Sequence, residues 1–245
     1  MTKLVDNAEV ERFGALADEW WDPRGKFRPL HQINPIRLAF LRETLLSHTG
    51  RDGSGVRPFA GLTLLDIGCG GGLIAEPLAR LGASVTGLDP APENIDTARR
   101  HAEGQRLSIN YIVGTSWDVA AQGRRFDCVI ALEVIEHVPD VDAFLQSCAD
   151  VTEASGLVVL STLNRTPKSF ALGIVAAEYL LGWLPRGTHQ WTRFITPDEL
   201  RQSLKSAGLA SVAERGMSYD PIAGTWRLSA DFSVNYLMAA VKPNV

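Results

Sequence analysis

The order of hydrophobic and polar positions divides the chain into two parts. Up to about Ser47 the apolar residues follow helical spacing, for example Phe13, Leu16 and Trp20. From Leu62 onward, short apolar runs alternate with helical patterns. The runs are LTLLDI, SVTGLD, SINYIV, FDCVIAL and LVVLST, and the helical segments among them are LIAEPLARL, ENIDTARRHA and VDAFLQSCAD. This alternation predicts an α/β fold in which helices cover both faces of a mostly parallel sheet.

A segment without periodicity separates these two parts. Residues 48–58, HTGRDGSGVRP, contain glycine, serine and charge but no apolar repeat. We therefore expect an N-terminal helical extension over 1–50 and a main domain over 51–245.

The second half of the chain departs from strict alternation. An apolar insertion, 165–192, follows the fifth strand candidate, and Thr196 then caps a helix with Pro197 in its first turn. Two further strands, near 211–217 and 233–241, bring the predicted sheet to seven strands.

Composition limits the class of protein. The 245 residues are 45% hydrophobic and carry a formal net charge of -4, an ordinary globular profile without a general field for nucleic acid. The three cysteines are scattered and odd in number, which favours a reducing compartment. The N-terminus has no apolar signal region and no stretch reaches about 18 apolar residues, so we expect a cytoplasmic protein.

A glycine-rich loop follows the first strand candidate in LLDIGCGGG, 64–72. The dinucleotide pattern G-x-G-x-x-G fits at Gly68 and Gly70 but fails at Leu73, where a third glycine would permit close helix packing. A nucleoside that bears an amino acid needs a carboxylate for its ammonium group, and Asp66 stands where that acid is needed. Asp89 ends the second strand candidate about 20 residues after the first glycine, where an acid binds ribose hydroxyls.

Together the loop, the acid and the spacing resemble the class I S-adenosylmethionine-dependent methyltransferases, a Rossmann-like fold. The alternative interpretation is a tight turn in an unrelated α/β domain. Two further regions are expected to line the cofactor pocket: Leu132, at the end of the fourth strand candidate, and Ser116-Trp117 near the adenine.

Longer motifs resemble one family within that class. Similarity to the ubiquinone-biosynthesis O-methyltransferases extends over 10–241 and rests on Trp20-Trp21-Asp22, FRPLHQINPIRL (27–38), LEVIEHVPD (132–140), STLNR (161–165) and GTHQWTRFI (187–195). The resemblance implies two substrates, 2-polyprenyl-6-hydroxyphenol and 3-demethylubiquinol. It also implies cofactor-binding positions at Arg37, Gly68, Asp89 and Leu132. Many relatives have an acid where this chain has Thr115.

Candidate catalytic residues follow the fourth strand. Glu133, Glu136 and His137 share one side if the chain becomes helical there. Two carboxylates and an imidazole could then bind a divalent cation such as Mg²⁺, which would be chelated by the two oxygens of a catechol. The rival role is His137 as general base with a glutamate orienting its ring. The third possibility is a structural turn.

The insertion and the N-terminal helices each allow two interpretations. An apolar stretch with cations at its borders, within 165–187, fits a helix at a membrane interface, where a polyprenyl substrate would reside. It equally fits a buried helix or a dimer seam. The N-terminal helices are either a lid over the site or surface helices anchored by Trp20 and Trp21.

Two other function classes stay open from the sequence. One is an NAD-dependent oxidoreductase, which Leu73 disfavours. The other is a non-catalytic nucleotide- or lipid-binding module, which the Glu133, Glu136 and His137 group disfavours. For an enzyme of this pathway, partners among the other ubiquinone-biosynthesis enzymes are also expected.

Overall fold

The computed structural model describes residues 5–172, 190–220 and 223–244. Eight strands lie in these ranges and form one sheet in the order β3-β2-β1-β4-β5-β8-β6-β7. The strands are β1 Thr63–Ile67, β2 Ser84–Asp89, β3 Asn110–Val113, β4 Phe126–Leu132, β5 Thr152–Leu163, β6 Ala210–Asp220, β7 Thr225–Ser229 and β8 Asn235–Val241. The helices are α1 Asn7–Gly14, α2 Arg28–Thr49, α3 Ala75–Arg80, α4 Pro92–Gly104, α5 Ser116–Ala121, α6 Val141–Asp150, the one-turn α7 Pro167–Ser169 and α8 Pro197–Ser206.

The expected α/β architecture is confirmed, with one correction to the strand count. Strands β1 to β5 pair in parallel, whereas β8 is antiparallel to β5 and β6 is antiparallel to β8. The sequence predicted seven strands; β7 is the eighth, and it forms an antiparallel hairpin with β6 at the sheet edge. Chain order reverses between β1 and β4, so their carboxyl ends open a crevice where ligands bind in such sheets.

Two core clusters lie on the two faces of the sheet. Consecutive residues of a strand point to opposite faces, so Leu64 belongs to one cluster and Leu65 to the other. Helix α2 contributes Phe40, Leu41 and Leu45 to the first cluster. The division at residue 50 stays a prediction, and the second half of the N-terminal extension shares its core with the sheet.

Local sequence signals explain several helix ends. Thr196 begins α8 with a capping box in which its side chain and that of Glu199 each accept a backbone hydrogen bond, as expected. Helix α2 starts with Pro29 in its first turn and ends at Gly50, whose φ is 63°.

Cys69, Cys128 and Cys148 are free and buried, and burial raises the pKa of each thiol.

The middle of the apolar insertion, 173–189, lies outside the described residues. Its two flanks meet, since the rings of Phe170 and Trp191 are in edge contact with centroids 6.3 Å apart. Across the described ranges, none of the helices combines the length and the apolar character that crossing a membrane requires.

Candidate active site

The glycine loop between β1 and α3 is shaped by main-chain conformation and by close neighbours. Gly68, Gly70 and Gly72 have φ values of 67°, 52° and 91°, a region that favours glycine. A Cβ at Gly70 would lie 2.3 Å from the ring of Trp20, and one at Gly68 would lie 2.6 Å from Val134. The loop therefore needs glycine both to turn and to accommodate these two side chains.

Asp89 is held at the end of β2 by three hydrogen bonds. The backbone N–H groups of Gly70 and Ala91 donate to its two oxygens at 3.0 and 2.9 Å, and the Asn94 amide donates at 3.1 Å. Asn94 in turn accepts a bond of 2.8 Å from the indole of Trp20. Burial raises the pKa of Asp89, although these hydrogen bonds oppose the shift. The carboxylate is thus fixed in the position where an acid binds the two hydroxyls of a ribose.

Asp66 lies next to this group with one oxygen unsatisfied. It is 3% exposed, and its Oδ2 has no hydrogen-bond partner in the part of the chain that the structure describes. Burial, and secondly the charge of Asp89, raise the pKa of Asp66 to about 8. An orphaned buried acceptor on a cavity wall suits a cationic group, so the residues present fit the ammonium of a methionine-derived donor.

The residues expected near the adenine follow β3. Thr115, Ser116 and Trp117 all line the cavity. The Ser116 hydroxyl is buried and bonded to that of Ser147 at 2.6 Å, so the side chain of Ser116 faces α6. The ring of Trp117 lies beside that of Phe144, with centroids 6.3 Å apart.

Arg37 of α2 reaches the same cavity and pairs with Glu133. Its guanidinium lies 2.8 Å from Glu133 Oε1, and its side chain is only 4% exposed. Ser161 donates to the same carboxylate oxygen at 2.7 Å. The Arg37 Nε has no partner among the described residues, which leaves a donor for an anionic ligand group. Leu132, immediately before Glu133, also lines the cavity.

Glu133, Glu136 and His137 do not converge on one point. Glu133 takes a positive φ of 56°, and Ile135–His137 forms a short 3₁₀ turn instead of a helix. Glu136 is directed inward, where Thr162 donates to its carboxyl at 2.9 Å. Burial, together with the charge of Glu133, raises the pKa of Glu136 well above its usual range, which favours a neutral carboxyl.

His137 faces the N-terminal helix. Its Nδ1 lies 3.3 Å from Glu9 Oε2. No group of three or more histidine, cysteine or acidic side chains suited to a metal ion is found within the described ranges. The geometry therefore does not support the expected three-residue metal site, because the helical spacing on which it depended is absent.

One cavity of about 840 Å³ is lined by most of the expected residues but not by Gly70 or Glu136. The expected residues in its lining are Arg37, Asp66, Gly68, Asp89, Ser116, Trp117, Leu132, Glu133 and His137. The lining also includes Met217, Tyr219, Trp226 and Arg227 of the β6–β7 hairpin, and Glu9 and Phe13 of α1.

Comparisons with known proteins decide the family. Residues 36–214 match the model of a methyltransferase domain. The chain is 54% identical over 243 residues to the ubiquinone biosynthesis O-methyltransferase of Cereibacter sphaeroides strain ATCC 17025, covering 99% of this chain and 98% of that protein. It is 51% identical to the protein of the same name from Chelativorans sp. strain BNC1, covering 98% and 94%.

The chain belongs to the ubiquinone biosynthesis O-methyltransferase family.

Membership of this family confirms the resemblance seen in the motifs and makes the chain an S-adenosylmethionine-dependent methyltransferase. The alternatives of an NAD-dependent oxidoreductase and of a non-catalytic module are set aside. A crystal structure of magnesium protoporphyrin IX methyltransferase from Synechocystis PCC 6803 with bound S-adenosylhomocysteine (SAH) has a TM-score of 0.64 at 20% identity, covering 96% of this chain and 94% of that one. At that identity the likeness shows the fold alone.

Sequence reasoning about this family member missed several residues of the site. Glu9, Asn94, Met217 and Trp226 received no role from the sequence, although all four line the cavity beside the expected residues. Asn94 also donates a hydrogen bond to Asp89. The sequence holds one clue to Glu9. It lies one helical turn before Phe13, so the two side chains are on the same face of the helix.

Proposed function

We propose that the chain transfers the methyl group of S-adenosylmethionine to a catechol-type hydroxyl of polyprenylated ubiquinone precursors, 2-polyprenyl-6-hydroxyphenol and 3-demethylubiquinol. The observation that carries this proposal is the continuous cavity, which joins an acidic cofactor end to an aromatic and apolar acceptor end. The names of the full-length relatives support the substrate class.

Each end has a proposed set of contacts. Asp66 binds the ammonium of the donor, Arg37 its carboxylate and Asp89 its ribose. Gly68, Ser116, Trp117 and Leu132 line the remaining walls, and the Gly70 N–H holds Asp89 by a hydrogen bond. When bound, the donor supplies an electrophilic methyl group on a sulfonium.

His137 is the proposed general base. A phenol has a pKa of about 10 and is mostly protonated at neutral pH, so its oxygen is a weak nucleophile. The imidazole takes the hydroxyl proton, the oxygen bonds to the methyl carbon, and the carbon–sulfur electron pair stays on sulfur. The products are an aryl methyl ether and SAH. The positive charge passes from the sulfonium to the imidazole in this step and no net charge is created, so alignment in a dry cavity accounts for much of the acceleration.

Glu133 and Glu136 are proposed to support this site without binding the acceptor. Glu133 fixes Arg37 through their ion pair. A divalent cation such as Mg²⁺ stays a prediction from the two adjacent oxygens of a catechol, and no step above passes through a metal.

The test is methylation of a short-chain demethylubiquinol, with the product identified by mass. We expect turnover by the unmodified enzyme and a loss of about 100-fold or more in His137→Ala, the usual contribution of a general base. Parallel assays with chelator and with a matching monophenol measure the dependence on a cation. A chain that binds SAH but methylates no catechol would contradict the proposal, and near-normal rates in His137→Ala would remove that residue from it.

The proposal places the enzyme in the cytoplasm at the inner face of the membrane, where the segment 165–187 would give access to the polyprenyl substrate and bring the enzyme near others of the pathway. Phe170 and Leu172, at the near edge of that segment, are 46% and 49% exposed, which supports an apolar contact surface. Liposome flotation with and without 165–187 tests it, and flotation that survives the deletion would contradict it.

A further inference from the structure

Helix α2 contributes two polar side chains to the cavity lining, Asn34 and Arg37. They are three residues apart and therefore lie on the same face of the helix. Both are buried, with 7% and 3% of their surface exposed. The proposed contacts of the methyl donor use Arg37 but leave Asn34 without a role.

Asn34 is an unfavourable residue for the place that it occupies. Asparagine is a poor helix former, and a buried amide costs free energy unless its groups are hydrogen bonded. The preceding residue, Ile33, belongs to the apolar core cluster. A leucine at position 34 would suit both the helix and the burial better, so we expect the amide to have a partner that offsets its cost.

The contact with Arg37 fixes the orientation of the Asn34 amide. Arg37 Nη1 donates to Asn34 Oδ1 at 3.2 Å. A guanidinium only donates hydrogen bonds, so the amide oxygen must be the atom that faces it. The NH₂ group on the same carbon therefore points elsewhere, and it has no hydrogen-bond partner among the residues that the structure describes.

Two donors on this face of α2 thus lack a partner in the described part of the chain, Arg37 Nε and the NH₂ of Asn34. A carboxylate has two oxygens that only accept hydrogen bonds, so one carboxylate can take a bond from each donor. Hydrogen bonds to an ionised acceptor are also shorter and stronger than those between neutral groups. The pair of donors therefore suits a carboxylate better than a neutral ligand group.

We infer that Asn34 is a cofactor-binding residue: its Oδ1 orients the Arg37 guanidinium, and its NH₂ donates a second hydrogen bond to the carboxylate of the methyl donor. The inference rests on the proposed function for the position of that carboxylate at Arg37. Asp66 then binds the ammonium of the amino-acid end, and Asn34 and Arg37 bind its carboxylate together. The site thereby distinguishes the donor from nucleosides that lack a carboxylate.

An indirect role for Asn34 would have different consequences. If Asn34 only orients Arg37, a variant that keeps the oxygen should keep the affinity, and nothing should depend on residue 34 once the guanidinium is removed. If the NH₂ contacts the carboxylate, its loss weakens only those ligands that have a carboxylate. The decarboxylated analogue of SAH keeps the ammonium and the nucleoside, so it isolates this one contact.

The experiment measures the affinity of the full chain for SAH and for the decarboxylated analogue by titration calorimetry at one pH. Asn34→Asp keeps an oxygen toward Arg37 but has no N–H. We expect it to weaken SAH binding about 10- to 100-fold, because a hydrogen bond to a charged group is lost and a like charge is added. The analogue should bind no more weakly than it binds to the unmodified enzyme.

A second pair of variants removes the guanidinium first. In the Arg37→Met background, Asn34→Leu should still lower SAH affinity about fivefold, because the contact of the NH₂ with the carboxylate does not require Arg37. Binding of the analogue should stay within about twofold in the same comparison. This pair adds no charge at residue 34, and it decides the question on its own if Asn34→Asp does not fold.

Thr44→Val is the matched control. Thr44 is also a buried polar residue of α2 but lies outside the cavity lining, so any change in affinity should be equal for the two ligands. Unchanged SAH binding or equal losses for both ligands in Asn34→Asp would overturn the inference, as would no effect of Asn34→Leu without Arg37. If the unmodified enzyme bound SAH no better than the analogue, the proposed contact of Arg37 would be wrong as well, whereas the methylation assay tests the reaction independently.

Discussion

Two acidic residues beside the glycine loop, Asp66 and Asp89, differ in how fully their oxygens are hydrogen bonded. Asp89 accepts three hydrogen bonds, whereas one oxygen of Asp66 finds no partner among the described residues and the pKa of Asp66 is raised to about 8. Burial of two carboxyls so close together is unfavourable when both are ionised. Asp66 is therefore the group expected to carry a proton when no ligand is present.

This protonation predicts a pH dependence of cofactor binding. Binding an ammonium group requires Asp66 ionised, so below pH 8 the protein must release a proton, and SAH affinity should fall by up to about tenfold per pH unit. As pH rises from 6 to 8, affinity should increase. Titration calorimetry in buffers of different ionisation enthalpy measures both quantities. Asp66→Asn should bind SAH weakly, and its affinity should not change with pH. If the SAH affinity of the unmodified enzyme is the same from pH 6 to 8 and no proton is released, Asp66 does not carry the proton.

At the scale of elements, the two tryptophans of the N-terminal segment pack directly against the glycine loop. Trp20 packs on the main chain of Gly70 and hydrogen bonds to Asn94, which orients Asp89. Trp21 donates to the carbonyl of Gly71 at 2.9 Å. The sequence allowed the N-terminal helices to be either a lid or surface helices anchored by these tryptophans. In the structure both tryptophans contact the glycine loop directly.

The indole–amide bond can be tested alone. Trp20→Phe keeps a ring over Gly70 but removes the donor to Asn94, so Asp89 loses part of its support. A lost hydrogen bond of about 1 kcal/mol corresponds to SAH binding weakened about fivefold. Trp191→Phe is the matched control, since its indole also donates one bond, to the Thr166 carbonyl at 3.1 Å, but lies outside the cavity lining. Equal affinities for SAH in the two variants would show that Trp20 acts by packing only.

Elements whose signals are local were predicted well. The bounds of β2 and β4 match the apolar runs, because each is a buried strand that stops at the cavity edge. Strand β7 was missed because it is a half-exposed edge strand whose burial barely alternates. The metal site at Glu133, Glu136 and His137 was expected from helical spacing. The positive φ of Glu133 breaks this spacing, and no local sequence pattern predicts it. The Glu9–His137 pair joins distant parts of the chain, so only the fold brings it together.

At the scale of the whole molecule, the sheet and α2 share a continuous interior. The antiparallel strands β8 and β6 extend the five parallel strands, and the β6–β7 hairpin contributes side chains to the cavity lining. The cavity lining thus draws on α1 near one end of the chain and β7 near the other.

The three buried thiols give this interior a chemical consequence. Only a thiolate is readily alkylated, and burial raises the pKa of Cys69, Cys128 and Cys148. Cys128 and Cys148 also lie outside the cavity lining, so the reagent does not reach them, whereas Cys69 lines the cavity and is protected by its raised pKa. Iodoacetamide should therefore add no adduct to the native protein and three in urea, as intact mass would show; an adduct formed at the native rate of a small free thiol would contradict this. The rate of alkylation thus reports the fraction of molecules that are unfolded. The same reagent can therefore rank the variants by their stability.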